Sequence, residues 1–191
     1  MSKDMSYAAV MARKNEIMKQ AIGIDYSVFE SGGISFDYER MMREAGYTLE
    51  EMQQIQAETS VGNTPVVELK NLTALARKLA PKGKGARIFI KDEAANPSGS
   101  FKARRAATAI YHAKKHGYKG VVTATSGNYG AAVASQAAKR GLKCIVVQEC
   151  YDSRMVGQPE ILEKQRACEA YGAEVVQLTV GPEPVSYTHL T

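Results

Sequence analysis

No stretch of the sequence approaches the roughly 20 consecutive apolar residues that a bilayer-crossing helix needs, and none forms an apolar secretion core. Residues 1 to 19 instead mix Lys, Asp, Arg and Glu, which reads as the start of a cytoplasmic chain. Paired cysteines are missing too. Cys144, Cys150 and Cys168 are odd in number, contain no C-x-x-C pair, and are not interleaved at ligand spacing with His112, His116 or His189. That excludes a disulfide framework and gives no metal site, leaving free thiols in a reducing compartment. Clustered positive charge is also lacking: 25 Lys and Arg against 20 Asp and Glu give a net +5, scattered and without an aromatic-studded stripe. A nucleic-acid partner is therefore disfavoured, whereas small anionic ligands suit the mild excess of base.

What remains is an ordinary globular composition, 45% hydrophobic and 24% charged over 191 residues, enough for a substantial core. Residues 4 to 21 space apolar groups as one amphipathic helix stopped by Gly23. Two more helices, 37 to 45 and 48 to 57, are separated at Gly46, with Thr48 and Glu51 at capping-box spacing. Beyond Gly62 the texture alternates. Strands are expected at 66–69, 86–91, 120–125, 143–147 and 174–179. Helices are expected at 72–79, 100–116 with Ser100 as N-cap, 128–140 and 159–171, the last three stopped by Gly117, Gly141 and Gly172. Short strands alternating with helices of about a dozen residues are what a parallel sheet requires, because each parallel neighbour needs a crossover. The fold class expected is α/β with a parallel sheet, preceded by a helical extension. The organisation expected is an extension over 1–58, a partial catalytic domain over 59–184 and a non-native tail over 185–191. That tail (Val-Ser-Tyr-Thr-His-Leu-Thr) breaks the pattern and looks like translated adapter or vector read-through on a truncated gene product.

Two segments carry chemistry. In Lys91-Asp92-Glu93-Ala94-Ala95-Asn96-Pro97-Ser98-Gly99-Ser100-Phe101-Lys102-Ala103-Arg104, the turn dipeptides Asn-Pro and Ser-Gly bend the chain out of a strand. Lys102 then falls in the first turn of the next helix. Unpaired backbone N–H groups and a positive helix end disfavour an ammonium there, and desolvation acts in the same direction; a neutral amine is what Schiff-base formation needs. Taken alone, a lysine at such a place is more often a solvated helix residue. In Thr123-Ala124-Thr125-Ser126-Gly127-Asn128-Tyr129-Gly130, a strand runs through a glycine-bearing turn into a helix of small residues, leaving free N–H groups for a carboxylate or phosphate. Taken alone, that segment is more often a structural turn.

Together, Asn-Pro-Ser-Gly-Ser-Phe-Lys-x-Arg and Ser-Gly-Asn-x-Gly resemble, in order and spacing, the lysine and carboxylate-loop motifs of fold-type II pyridoxal 5'-phosphate (PLP) enzymes. This is the tryptophan synthase beta-like family, with its parallel three-layer sheet. Gly62-Asn63-Thr64-Pro65-Val66 resembles a structural motif near the start of the same fold. The resemblance implies that PLP is the cofactor, that Lys102 holds it as a Schiff base and that Asn128 bonds its ring hydroxyl. It also implies that Thr125, Ser126, Gly127, Asn128 and Tyr129 grip the carboxylate of an amino acid substrate. Ala103 stands where most members carry Asp. The family's glycine-rich phosphate loop and its contact to the pyridine nitrogen have no counterpart in the sequence, so the segment is expected to bind PLP weakly and to be inactive by itself. Within the family, the extension and Ser-Phe-Lys-Ala-Arg-Arg-Ala resemble a member that cleaves a 2-amino-4-oxo acid with coenzyme A and works with a small alpha subunit. That likeness implies acyl transfer in amino-acid degradation, with self-association. The alternatives are a threonine synthase-like or ammonia-lyase-like enzyme, or an inactive piece that only binds a partner.

Overall fold

The computed structural model describes residues 4–32, 35–44, 47–125, 127–151 and 156–178. The expected separator Gly46, Ser126 of the carboxylate loop and the tail over 185–191 lie outside the described residues.

Among the described residues, the N-terminal region holds four short α-helices, α1 (Tyr7–Ala12), α2 (Lys14–Ile22), α3 (Tyr38–Glu44) and α4 (Leu49–Ala57), and a 3-10 turn at Tyr26–Phe29. The single helix expected over 4–21 is two, interrupted at Arg13 (φ −109°, ψ 12°). There the guanidinium folds back onto the carbonyl oxygens of Ala9 and Asp4. Gly23 closes α2 in the left-handed region, as its position suggested. The capping box of α4 is complete: Thr48 N–H donates to Glu51 Oε2 at 2.6 Å, and Glu51 N–H to Thr48 Oγ1 at 3.2 Å.

The rest alternates strand and helix: β1 (Val66–Glu68), α5 (Lys70–Leu79), β2 (Phe89–Lys91), α6 (Lys102–Lys115), β3 (Gly120–Ala124), α7 (Asn128–Arg140), β4 (Lys143–Glu149), α8 (Pro159–Ala170) and β5 (Glu174–Leu178). β3, β4 and β5 form the expected parallel sheet in that order, registered Gly120↔Lys143 and Ile145↔Glu174. β1 and β2 pair antiparallel with each other. β2 begins at Phe89, three residues later than expected, because the Ile88 amide is diverted to Thr73 Oγ1 on α5 (3.0 Å). α6 likewise begins two residues later than expected. The N-cap position is Phe101, without a side-chain cap, and not Ser100 as expected; Ser100 Oγ instead accepts the Lys102 amide at 3.3 Å.

The core sits where α7 crosses the parallel sheet. Every residue from Gly130 to Ala137 is buried: Gly130 and four alanines let the helix pack closely against α6, α8, β3 and β4 together, and Val133, Ser135 and Gln136 are buried with them. α6 contributes Ala103, Ala106, Ala107 and Ile110 at helical spacing. β4 turns Cys144, Val146 and Gln148 inward by strand alternation. Gly130 is the closest approach: a Cβ there would lie 2.5 Å from Thr125 Cγ2 and 2.9 Å from Val146 Cγ1.

Candidate active site

Two helix N-termini are brought together. α7 starts directly after the carboxyl end of β3, so its first turn must lie at that edge of the sheet. α6 is aligned with it at both ends: the Arg105 guanidinium lies 5.0 Å from the centroid of the Tyr129 ring, and Lys114 Nζ donates to Arg140 O at 2.6 Å. Lys102, first residue of α6, and Asn128, first residue of α7, therefore begin neighbouring helices at one edge of the sheet.

The Lys102 side chain is half-buried, its ammonium 4.8 Å from the centroid of the Phe101 ring. Among the described residues no carboxylate pairs with it. In the facing loop, the Gly127 amide donates to Thr125 Oγ1 at 3.1 Å, while the Asn128 side chain is exposed. The Asn128 and Tyr129 amides, in the first turn of α7, have no intrahelical acceptor. Tyr129 turns its ring towards Arg105, which leaves its backbone amide as what it can offer a carboxylate.

The lysine loop is held by a network that motif reading missed. Glu93 takes a two-pronged grip on Arg104: Arg104 Nε donates to Glu93 Oε2 at 2.7 Å and Nη2 to Oε1 at 2.8 Å. Thr64 Oγ1 donates to Glu93 Oε1 at 2.7 Å, and Asn96 Nδ2 to Glu93 O and Oε2 at 2.9 and 3.0 Å. Buried Asn96 accepts the Gly62 amide on its Oδ1 at 3.0 Å. These bonds tie the Gly62–Pro65 segment to the loop before Lys102. The Arg104 hydrogen bonds, then that of Thr64, hold the Glu93 carboxyl down at about 2, against an ordinary 4.5. The signal was in the sequence, since Glu93 and Arg104 flank the lysine loop, but their pairing is a tertiary fact.

Ala103 also has a physical account. It is fully buried against Val61 and Ala107, an apolar setting in which a carboxylate would be costly to bury.

A family profile described as "Pyridoxal-phosphate dependent enzyme" matches residues 57–189. The chain belongs to this family. As a pyridoxal-phosphate dependent enzyme it has the fold-type II architecture, and its cofactor is pyridoxal phosphate. It is 79% identical over 183 residues to the 2-amino-4-ketopentanoate thiolase beta subunit of Acetoanaerobium sticklandii, covering 96% of this chain and 39% of that one. A 2-amino-4-ketopentanoate thiolase beta subunit from an unknown prokaryotic organism is 68% identical with the same coverage. Among solved structures, the serine racemase of Dictyostelium discoideum superposes with a TM-score of 0.54 at 30% identity, over 72% of this chain and 40% of that one. The chain thus spans about two fifths of the length of these relatives. The side chains present fit the part of the cofactor they would meet: an amine without a carboxylate partner at one helix start, and an exposed carboxamide at the next.

Proposed function

We propose that this chain is part of a pyridoxal-phosphate dependent acyltransferase that cleaves 2-amino-4-oxopentanoate with coenzyme A, giving acetyl-coenzyme A and alanine. The 79% identity to a 2-amino-4-ketopentanoate thiolase beta subunit over 96% of the chain carries this reading; the paired helix starts support it. In the cell we place it in the cytoplasm, associated with a small second subunit, as the word "beta" in the relatives' names suggests, and with copies of itself.

The cofactor, when bound, supplies an electron sink for negative charge developing beside the substrate's amino carbon. Lys102 is assigned as its covalent anchor and, once released by the substrate amine, as the base that removes the Cα proton. Asn128 is assigned to the cofactor's ring hydroxyl. Thr125, Ser126, Gly127, Asn128 and Tyr129 are assigned to the substrate carboxylate, with the α7 first-turn amides as donors. The Glu93–Arg104–Asn96 network keeps the loop before Lys102 in place, and is assigned a positioning role.

The test is direct. The reading frame that carries this chain is expressed with its small partner and supplied with 2-amino-4-oxopentanoate and coenzyme A, and thioester and alanine are measured. Equal amounts of acetyl-coenzyme A and alanine are expected; ammonia with a keto acid instead would assign an eliminating enzyme.

A further inference from the structure

The 79% match to a thiolase beta subunit takes in 183 of the 191 residues, whereas the family profile starts only at residue 57. The helices before residue 57 therefore lie outside what the profile describes, and most of them are common to this chain and the thiolase subunit. They build a cavity. About 610 Å³ of space lies between the extension and α6, within the size range of sites for small organic ligands. Met18, Met41, Met42, Met52, Tyr26 and Tyr47 form the extension's side, each half-buried and none sealed in the core. Four unbranched thioethers make a wall that adapts to a flexible chain.

α6 supplies the opposite side, and that side leads to Lys102. Arg105, Ala109 and His112 line the cavity, following Lys102 at spacings of three, four and three residues along one stripe of the helix. Arg105 also lies 5.0 Å from the centroid of the Tyr129 ring, so the cavity's near end adjoins the carboxylate loop. Polar groups are set along the wall: Gln56, whose Oε1 accepts from Arg104 at 3.3 Å, and Thr108, whose hydroxyl makes long contacts to Met52 Sδ (3.6 Å) and Arg104 O (3.5 Å). At the far end Tyr47 Oη bonds His112 Nδ1 at 2.9 Å, and Lys115 Nζ lies 5.3 Å from the centroid of the Tyr47 ring. Glu51 is within electrostatic reach of that ammonium, but its carboxylate already accepts the Thr48 amide in the capping box.

We propose that this cavity holds the pantetheine arm of coenzyme A, its thiol towards Lys102 and its diphosphate at Lys115; the assignment rests on the thiolytic reading of the chain. The lengths agree. About 13 bonds separate the sulfur from the first phosphorus, and an extended chain advances about 3.5 Å per three bonds, so the arm reaches about 15 Å. Along α6 the rise from Lys102 to His112 is also about 15 Å, and Lys115 points back towards that level, as helical side chains do, to lie over Tyr47. The chemistry agrees as well. The arm's methyl and methylene groups suit the methionines, its amides and hydroxyl suit Gln56 and Thr108, and its phosphates suit an ammonium at the rim.

The enzyme expressed from the full reading frame, with and without its small partner, is treated with dilute peroxide, and methionine sulfoxide is mapped by mass spectrometry. The probe is acetyl-coenzyme A, whose capped sulfur does not consume the peroxide. At about ten times its Kd it should slow oxidation of Met18, Met41, Met42 and Met52 by about 10-fold, and leave exposed Met5 unchanged. In steady state, Lys115→Glu should raise KM for coenzyme A about 5-fold. KM should stay the same for pantetheine, which lacks the phosphates, and for 2-amino-4-oxopentanoate. Met42→Trp, which fills the cavity, should raise KM for both thiols; because the mapping uses unsubstituted protein, a variant that fails to fold does not decide the matter. Oxidation indifferent to acetyl-coenzyme A, protection that comes from the small partner alone, or an unchanged KM for coenzyme A in Lys115→Glu overturns the assignment. Acetyl-coenzyme A and alanine still forming would then leave the thiolytic reading standing. Protection by acetyl-coenzyme A in an enzyme that releases ammonia and a keto acid overturns the thiolytic reading and leaves the cavity a coenzyme A site.

Discussion

Replacing Gly130 by Ala sets two rules of protein stability against each other. Gly130 lies within α7 on an ordinary helical backbone, so helix propensity alone favours Ala by about 1 kcal/mol. The surroundings oppose it. The new Cβ would sit 2.5 Å from Thr125 Cγ2 and 2.9 Å from Val146 Cγ1, both on β-branched side chains fixed to or beside the sheet, with Val146 fully buried. Relief requires α7 to lift by something like 1 Å, and overpacking of this kind costs about 1–3 kcal/mol. With two atoms inside 3.0 Å, the upper part of that range applies. The net loss is then about 1–2 kcal/mol, or about 2–8 °C in Tm for a chain of this size. Thermal unfolding by circular dichroism measures it. Adding Thr125→Ser deletes the nearest methyl while keeping the hydroxyl that receives the Gly127 amide, so the double variant should recover at least about 0.5 kcal/mol. A Gly130→Ala protein that melts at or above the unsubstituted temperature would refute the packing argument.

Two further predictions concern the site, and a third the core. Glu93 titrates at about 2 when folded against an ordinary 4.5, so its stabilisation is full above the unfolded value and fades as pH falls through that window. Glu93→Gln should melt lower at neutral pH and flatten the acid limb between about pH 5 and pH 2; an unchanged acid limb would exclude Glu93 as its source. Borohydride reduction of the PLP-loaded enzyme, followed by peptide mapping, should place the label on Lys102, and Lys102→Ala should lose it; a label on another lysine would remove Lys102 from the mechanism. Raising a thiol from 9.0 to about 11 makes its thiolate about 100-fold scarcer. Cys144 and Cys168 should therefore alkylate at least that much more slowly in folded than in unfolded chain, and equal rates would contradict their burial.

Much of the fold was legible because its punctuation is local. α7 was bounded correctly by its glycine-bearing start and by Gly141, whose φ of +69° closes the helix. Pro159 opened α8, Gly172 (φ +83°) followed it, and the Thr48–Glu51 box was readable from spacing. The misses have distant causes: Arg13 breaks the first helix by folding back onto Ala9 and Asp4, and Thr73 on α5 draws Ile88 out of β2. The same divide runs through the site. Motif order singled out Lys102 and Asn128, but what sets their helices side by side is Arg105 against Tyr129 and Lys114 against Arg140, contacts between residues more than 20 apart. Glu93, Asn96 and Thr64 were invisible as a group because each is unremarked until the chain folds back on itself.

The grip of Glu93 on Arg104 also alters the electric field at the sheet edge. Three cations, Lys102, Arg104 and Arg105, crowd the opening turn of α6, and the sequence alone would credit all of them with drawing in an anion. One is already neutralised by its neighbour, so long-range attraction there comes from two, together with whatever the helix ends add. An incoming carboxylate is steered by a weaker and more sharply directed field than a count of basic residues would suggest.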